Sequence, residues 1–515
     1  MIDTLLAAIA LVADPYVLFV MVAAGLFGVF VGAMPGLTAT LATALLVPVT
    51  FFMDPIPALA AIVSTTAMAI FAGDLPGALM RIPGTPASAA YVDDAHKLTL
   101  QGKANVGLGT GLVCAVIGGM VGATILAFTA PMLAEIALSF STFEYFWLAT
   151  FGLTCAAFVS TGRPVKGLIS LFLGLFISTI GIDIMAGQPR FTMGSTELMG
   201  GVSFIPAMIG MFAVSEVLRW ALGTTGGREK VSTVSQASGA IFASGLKSIR
   251  RYKAGLVRGS LIGTLIGILP GAGADIAAWV TYAISKKASR EPERFGSGHV
   301  EGLVDAGAAN NASLGGAWVP ALVFGIPGDT VTAIVIGILY MKGMNPGPMV
   351  MITHPELLYA VFMTFFVANL LLLPIGWLAI KFYGQMLKVP REVLMPIILM
   401  LCMIGAFAIN NTVAGVTIML VLGVIAFVME ENGFPVAPAI LGLVLGSMIE
   451  RNFMQSMIKA DGNLLAFFER PIAAVLGVIT ITIWVFVIVG AIRNRHRVPT
   501  GDDGGSASES SVARG

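Results

Sequence analysis

"VGAMPGLTATLA" (residues 31–42) and "IGILPGAGADIA" (266–277) decide how this chain folds. Each sets a Pro-Gly pair in the middle of an apolar run of membrane-helix character, where proline removes a hydrogen bond and clashes with the preceding turn. The second stretch repeats the first. Gly32, Pro35, Gly36, Ala39 and Ala42 recur as Gly267, Pro270, Gly271, Ala274 and Ala277, all at an offset of 235 residues. A further pair, "LMRIPGTPASAA" (79–90) and "VFGIPGDTVTAI" (323–334), shares Ile-Pro-Gly and a later alanine at an offset of 244. Two Pro-Gly breaks per half, in the same order, predict an internal structural repeat, and paired broken segments of this kind mark transporter binding sites.

Composition sets the class. The chain has 515 residues, 57% hydrophobic and 11% charged, with a mean hydropathy of +0.91. That is too few charges for a water-soluble protein and too many long apolar runs for a β-barrel. The expected fold is an all-α polytopic integral membrane protein of two structural repeats, with Pro-Gly-broken helices or re-entrant hairpins. A net charge of +1 gives no footing to a nucleic-acid partner. Cys114, Cys155 and Cys402 lie in apolar segments without metal-like spacing and read as packing residues. "LLAAIALVA" (5–13) lacks a basic start and reads as a short helix leading into the membrane rather than a cleavable signal.

The polar connector 223–253 carries Arg228, Lys230, Lys247, Arg250, Arg251 and Lys253 against the single acid Glu229, and the C-terminal segment opens with Arg493, Arg495 and Arg497. Both belong in the cytoplasm by the positive-inside rule. The expected organisation is a first membrane repeat over 1–222, a basic cytoplasmic linker over 223–253, a second repeat plus terminal helix over 254–492, and a disordered cytoplasmic tail over 493–515. The apolar stretch 254–285 has positive residues at both ends, Arg251 and Lys253 before it and Lys286 and Lys287 after it. With both flanks on one side it is expected to enter and leave by the same face, as two half-helices with Pro270-Gly271 at the tip. A single kinked helix is the alternative. About five crossings between the first break and the linker would make the repeats inverted.

No nucleotide-binding loop, zinc-protease motif or nucleophile elbow is present, and His96, His299, His354 and His496 sit in or beside polar connectors, as surface or loop histidines do. The chemistry lies at the breaks. A helix that restarts after Pro-Gly offers free amide N–H groups at a positive dipole end, which suits an anion. Candidate substrate-binding residues are therefore Pro35, Gly36 and Thr38 at the first break, and Pro83, Gly84 and Thr85, with Ser88, at the second. Pro270, Gly271 and Gly273 follow, and then Pro327 and Gly328. Asp275, Asp329 and Thr40, beside Thr330 and Thr332, are candidates for a coupling cation, Na⁺ or a proton. The bland alternative is that the glycines only permit close helix packing. Asn310 and Asn311 enter an apolar Gly/Ala-rich segment and need partners there, because an unsatisfied amide is expensive in that setting. Arg81 stands two turns from Asp74 on one helical face; an Asp74–Arg81 ion pair is favoured over a substrate clamp. A channel would need rings of like residues, and a membrane enzyme would need a convergent nucleophile, base or metal cluster.

With these motifs the sequence resembles the large membrane subunit of the tripartite tricarboxylate transporters, the TctA family. The likeness runs to about residue 490 and is carried by "GAMPGLTATLATALLVPVTF", "IPGTPASAA", "GIDIMAGQPRFTMG", "GILPGAGADIAAWVTYAISKK" and "AANNASLGGAWVPALVFGIPGD", in the family's order. It implies a secondary transporter in a bacterial-type inner membrane that imports an organic anion such as a tri- or dicarboxylate. It also implies a periplasmic solute-binding protein and a small four-helix membrane subunit as partners, and coupling to a cation gradient, with no other cofactor. A homo-oligomer is left open, and so is a non-carboxylate ligand. The chain departs from the family's pattern at "FAGDLPGALMR", which places Asp74 and Arg81 where small or amide residues are usual, at Gly307, where an acid commonly precedes the asparagine pair, and at "VDDAHKL", which keeps only Asp93. These departures lie near the expected site, so citrate does not follow from the resemblance.

Overall fold

The computed structural model describes residues 2–35, 37–159, 164–183, 187–223, 241–386 and 391–495. The first half runs α1 (Ile2–Val12), α2 (Pro15–Gly32), α3 (Ala39–Thr50), α4 (Pro55–Ala72), α5 (Asp74–Met80), a 3₁₀ turn (Ser88–Ala90), α6 (Val92–Leu100), α7 (Ala104–Ala137), α8 (Thr142–Val159) and α9 (Pro164–Ser178). A two-stranded ribbon pairs Gly181–Ile182 with Pro189–Arg190. It leads to α10 (Phe204–Ile209) and α11 (Ser215–Ala221), joined by a π-helical turn. The second half runs α12 (Ile241–Arg251), α13 (Lys253–Ile268), α14 (Gly273–Ala288), α15 (Val300–Phe324), α16 (Thr330–Met341), α17 (Pro348–Thr353), α18 (Pro355–Met386), α19 (Arg391–Asn410), α20 (Val413–Glu431), α21 (Val436–Lys459) and α22 (Pro471–Arg495). Among the described residues, eight helices are long and apolar enough to cross a membrane. The chain is an all-α multi-pass membrane protein. α12 occupies the end of the basic connector; it packs on α7, with the Thr110 and Ser248 hydroxyls 2.9 Å apart. The free thiols Cys114 and Cys402 are buried in helix packing. His299 lies in the loop before α15, as expected, and is buried there against Phe295 and Tyr252.

Both Pro-Gly stretches fold as helical hairpins, because glycines let one arm lie directly on a central helix. α2 runs beside α4 in the same direction: a Cβ added at Gly28 or Gly32 would come within 2.8 Å of Thr65 Cα or 2.7 Å of Ala69 Cα. α13 lies on α15 in the same way, Gly263 meeting Ala309 at 2.5 Å and Gly267 meeting Ser313 at 3.0 Å. These contacts keep the sequence offsets, 235 along the hairpins and 244 along the central helices. Small residues at such crossings bring backbones close where lipid supplies no hydrophobic drive.

The second arms return. Thr43 on α3 shares a 3.0 Å hydroxyl contact with Thr66, while Leu46 and Met53 reach back to Val20, Ala24 and Ala61. On the other hairpin, Arg258 near the start of α13 donates to Ser285 near the end of α14 at 3.4 Å. Residues 254–285 therefore form a hairpin with both ends on one level, not a kinked helix. With native cysteines removed, single cysteines at 251 and 287 are expected to react with an impermeant maleimide from the same face of the membrane; labelling from opposite faces would contradict the hairpin.

The two hairpin bases sit at opposite ends of α15. Lys342 follows α16 and donates to the carbonyls of Phe51, at 2.8 Å, and of Met53, on the first hairpin, while Gly347 N–H reaches Leu322 O near the C-terminal end of α15 at 2.9 Å. At the N-terminal end of α15, Ser289 just past α14 donates to Glu301 at 2.6 Å. α4 and α15 touch at mid-length, where Asn311 Nδ2 donates to Ala67 O at 3.3 Å.

Candidate functional site

Each Ile-Pro-Gly segment is a helix ending that folds back on its own helix. Arg81 (φ 61°) and Gly325 (φ 67°) both adopt the left-handed conformation that closes a helix C-terminus. Ile82 N–H then bonds Pro76 O at 3.3 Å, and Ile326 N–H bonds Pro320 O at 3.2 Å. The strand descends until Gly84 N–H bonds Gly73 O at 3.1 Å, and Gly328 lies where a Cβ would be 2.7 Å from Ala317 Cα. Reciprocal caps follow. Thr85 N–H bonds Ser88 Oγ and Ser88 N–H bonds Thr85 Oγ1, both at 3.1 Å. Asp329 N–H bonds Thr332 Oγ1 and Thr332 N–H bonds Asp329 Oδ1, both at 2.8 Å. Asp329 thus starts α16 in a capping box.

The hairpin tips are tied to these turns. Gly271 N–H donates to Gly328 O at 2.7 Å. Gly273, at φ +56°, packs so close to Asp329 that a Cβ would stand 2.9 Å from Asp329 Cβ. The Asp275 carboxylate faces the Ala87 amide and the Asp329 carboxylate. At the first tip Thr38 caps α3 by accepting from Leu41 N–H at 3.2 Å, and Thr40 Oγ1 lies 2.9 Å from Thr330 Oγ1 across the two halves. Pro270, Gly271, Gly273 and Asp275 therefore gather with Pro327, Gly328 and Asp329, Thr40 joins Thr330, and Pro83, Gly84 and Thr85 lie on Gly73. Pro35 belongs to the first tip, and Gly36 falls outside the described residues.

Asn310 and Asn311 are both buried. Asn310 Nδ2 donates to Tyr91 OH at 3.1 Å, and Tyr91 OH donates to Asp74 Oδ1 at 2.6 Å. Among the described residues Asn310 Oδ1 has no hydrogen-bond partner. The expected Asp74–Arg81 ion pair does not form. Helix α5 stops at Met80, the left-handed turn at Arg81 swings its side chain outward, and the guanidinium instead meets exposed Asp93, Nε–Oδ1 and Nη2–Oδ1 both 2.9 Å. Among the described residues no group of three His, Cys, Asp or Glu side chains could hold a metal ion.

A model of the tripartite tricarboxylate transporter TctA family matches residues 18–441. The chain belongs to the TctA family. It is 32% identical to an Agrobacterium vitis protein described as an uncharacterized 52.8 kDa protein in the TAR-I ttuC' 3'region, over 92% of this chain and 93% of that one. A second Agrobacterium vitis protein, from the TAR-II ttuC' 3'region, is 33% identical over 45% of this chain and 97% of its own length. No solved structure matches the chain. The family makes this TctA chain a permease of the tricarboxylate-transporter type, the large subunit of a tripartite system. Its paired breaks and its asparagines, candidates from the sequence, lie close together in the fold. Tyr91 carries little signal in the sequence, a lone aromatic hydroxyl ending the small-residue run "TPASAAY" after a Pro-Gly break.

Proposed function

We propose that this chain is the membrane-crossing permease of a binding-protein-dependent secondary transporter that imports a small organic anion in symport with a cation, Na⁺ or H⁺. The supporting observation is the convergence of two hairpin tips and two folded-back Ile-Pro-Gly turns at the level where α4 crosses α15. Helix restarts at Thr38, Gly273 and Thr330 supply amide N–H groups for a carboxylate. Asn310 and Asn311 supply neutral donors, and Asp275, Asp329 and Thr40 supply oxygens for the cation.

The halves 1–222 and 254–492 act as inverted repeats. The reading is supported by the repeated glycine contacts and by hairpin bases at opposite ends of α15. The base of the second hairpin, flanked by Arg251, Lys253, Lys286 and Lys287, faces the cytoplasm of a bacterial-type inner membrane, with the linker 223–253 and the tail 493–515. The first hairpin then opens to the periplasm, where a solute-binding protein delivers substrate, and the small four-helix subunit completes the complex. Alternating access comes from one bundle moving against the other.

The test is uptake by the reconstituted three-component complex, with a panel of tri-, di- and monocarboxylates and with Na⁺ and proton gradients imposed separately. Binding-protein-dependent uptake under one gradient is expected. Asn310→Ala and Asn311→Ala should each reduce uptake about tenfold or more, given about 1.5–3 kcal/mol for a hydrogen bond to a charged group, with membrane abundance unchanged. Loss of abundance instead would assign the asparagines to packing, and no uptake of any carboxylate by folded complex would overturn the substrate class.

A further inference from the structure

Asp74 stands in the last third of the 26-residue span Pro55–Met80, at the junction of α4 and α5. Among the described residues no Lys, Arg or His forms an ion pair with it. The neighbouring elements confirm the isolation. α4 carries no ionisable side chain, and the facing part of α7 offers only buried Cys114. On α6, Asp93 is held by Arg81; Asp94 accepts from the amides of Gly296, Gly298 and His299 and from Tyr282 OH; His96 Nδ1 lies 3.2 Å from Ala78 O; Lys97 is exposed. On α15, Asp305 is paired with Arg258. Among the described residues a single side-chain hydrogen bond reaches Asp74, from Tyr91 OH, although an ionised carboxylate has about four acceptor positions to fill. The residue is partly accessible, so protons have a way in.

A carboxylate in this setting changes its protonation rather than stay charged and unpaired. The orphaned oxygen of Asn310 shows what the proton would do. With Asp74 ionised, the chain runs Asn310 N–H to Tyr91 oxygen, 3.1 Å, and Tyr91 O–H to Asp74, 2.6 Å. With a proton on Asp74, the acid is itself a donor, so it gives its O–H to the Tyr91 oxygen. Tyr91 O–H then needs an acceptor, and Asn310 Oδ1 is an unfilled one one bond away. Rotation of that amide takes the Asn310 N–H groups off Tyr91.

We propose that Asp74 is the proton-binding group of this carrier, and that its protonation reverses the Asp74–Tyr91–Asn310 hydrogen-bond chain, freeing the Asn310 amide to donate to the anionic substrate. The coupling ion is then H⁺ and its site is Asp74 in place of the Asp275, Asp329 and Thr40 oxygens: one proton taken from the outer side fills Asp74 as substrate binds, and both leave on the inner side. Tyr91 and Asn310 are positioning residues for the proton, and the inference rests on the carrier reading above.

Two measurements test it. The first is infrared difference spectroscopy of the purified full chain in phosphatidylcholine vesicles, between acid and alkaline pH. A protonated-carboxyl C=O band is expected that vanishes in Asp74→Asn, shifts in Tyr91→Phe and returns in Asp74→Glu. The second uses the reconstituted complex with the same carboxylate panel. Asp74→Asn should lose gradient-driven accumulation by about tenfold or more, the range of an ordinary coupling, while still exchanging labelled for unlabelled substrate. Entrapped pH dye should report substrate-dependent acidification for the wild-type chain only. Accumulation by Asp74→Asn equal to wild type, or driven by Na⁺ with no acidification, would overturn the proposal and leave the carrier reading standing. A band that titrates at Asp74 in a complex that moves no carboxylate would instead remove the carrier reading, and the coupling with it.

Discussion

Gly328→Val is expected to leave little folded protein in the membrane. A Cβ at this position would sit 2.7 Å from Ala317 Cα and 2.8 Å from Ala317 O, backbone atoms of a buried central helix that cannot move aside. Overpacking a well-filled core costs about 1–3 kcal/mol when side chains absorb it, and more when backbone must shift. Here the shift would spread, because Gly328 O also holds the second hairpin tip through Gly271 N–H at 2.7 Å. The control is Gly384 on α18, where an added Cβ meets nothing within 4 Å. Gly384→Ala should match or exceed wild type, by up to about 1 kcal/mol, since alanine is the better helix former. Retention of a monodisperse peak after heating in detergent measures both. A wild-type melting point for Gly328→Val would mean that Ile326–Gly328 does not lie on α15.

Arg258→Ala should be nearly as damaging. Asp305 is fully buried, and its Oδ2 accepts from Arg258 Nε at 2.8 Å and from Nη2; the same guanidinium also approaches Ser285 at 3.4 Å and Glu301 at 3.9 Å. One side chain thus ties α13, α14 and α15 together at the base of the second hairpin. Removing it strands a buried carboxylate, a change that costs about 3–5 kcal/mol. The paired change Arg258→Met with Asp305→Leu should recover most of the lost stability, because deleting both charges removes the desolvation cost as well as the attraction. If the double variant melts no higher than Arg258→Ala, the contribution of this site is packing against Gly255 and Gly259, both of which abut Asp305, and not charge.

How much of this was legible before folding depends on the range of the interaction. Hairpin and break positions came from proline chemistry and flanking charge, both of which act within a few residues. Thr85 and Asp329, candidate substrate and cation ligands from the sequence, also act as caps, a side chain meeting an amide three residues on. The Asp74–Arg81 pairing failed for a local reason too. Spacing on one helical face presumes that the helix continues, and α5 ends one residue short of Arg81.

What the chain alone determined is therefore its membrane class, its family and the short Pro-Gly stretches at which its helices break, since hydropathy, backbone restriction and capping are properties of neighbouring residues. Tertiary structure decided which of those stretches meet. Tyr91 and Asn310, 219 residues apart, share one hydrogen bond, Thr40 and Thr330, 290 apart, share another, and among the described residues Asp74 has no counter-ion at the end of the first. No spacing rule encodes such contacts, because they exist only after glycine-lined helices from both halves have packed to within backbone distance of one another.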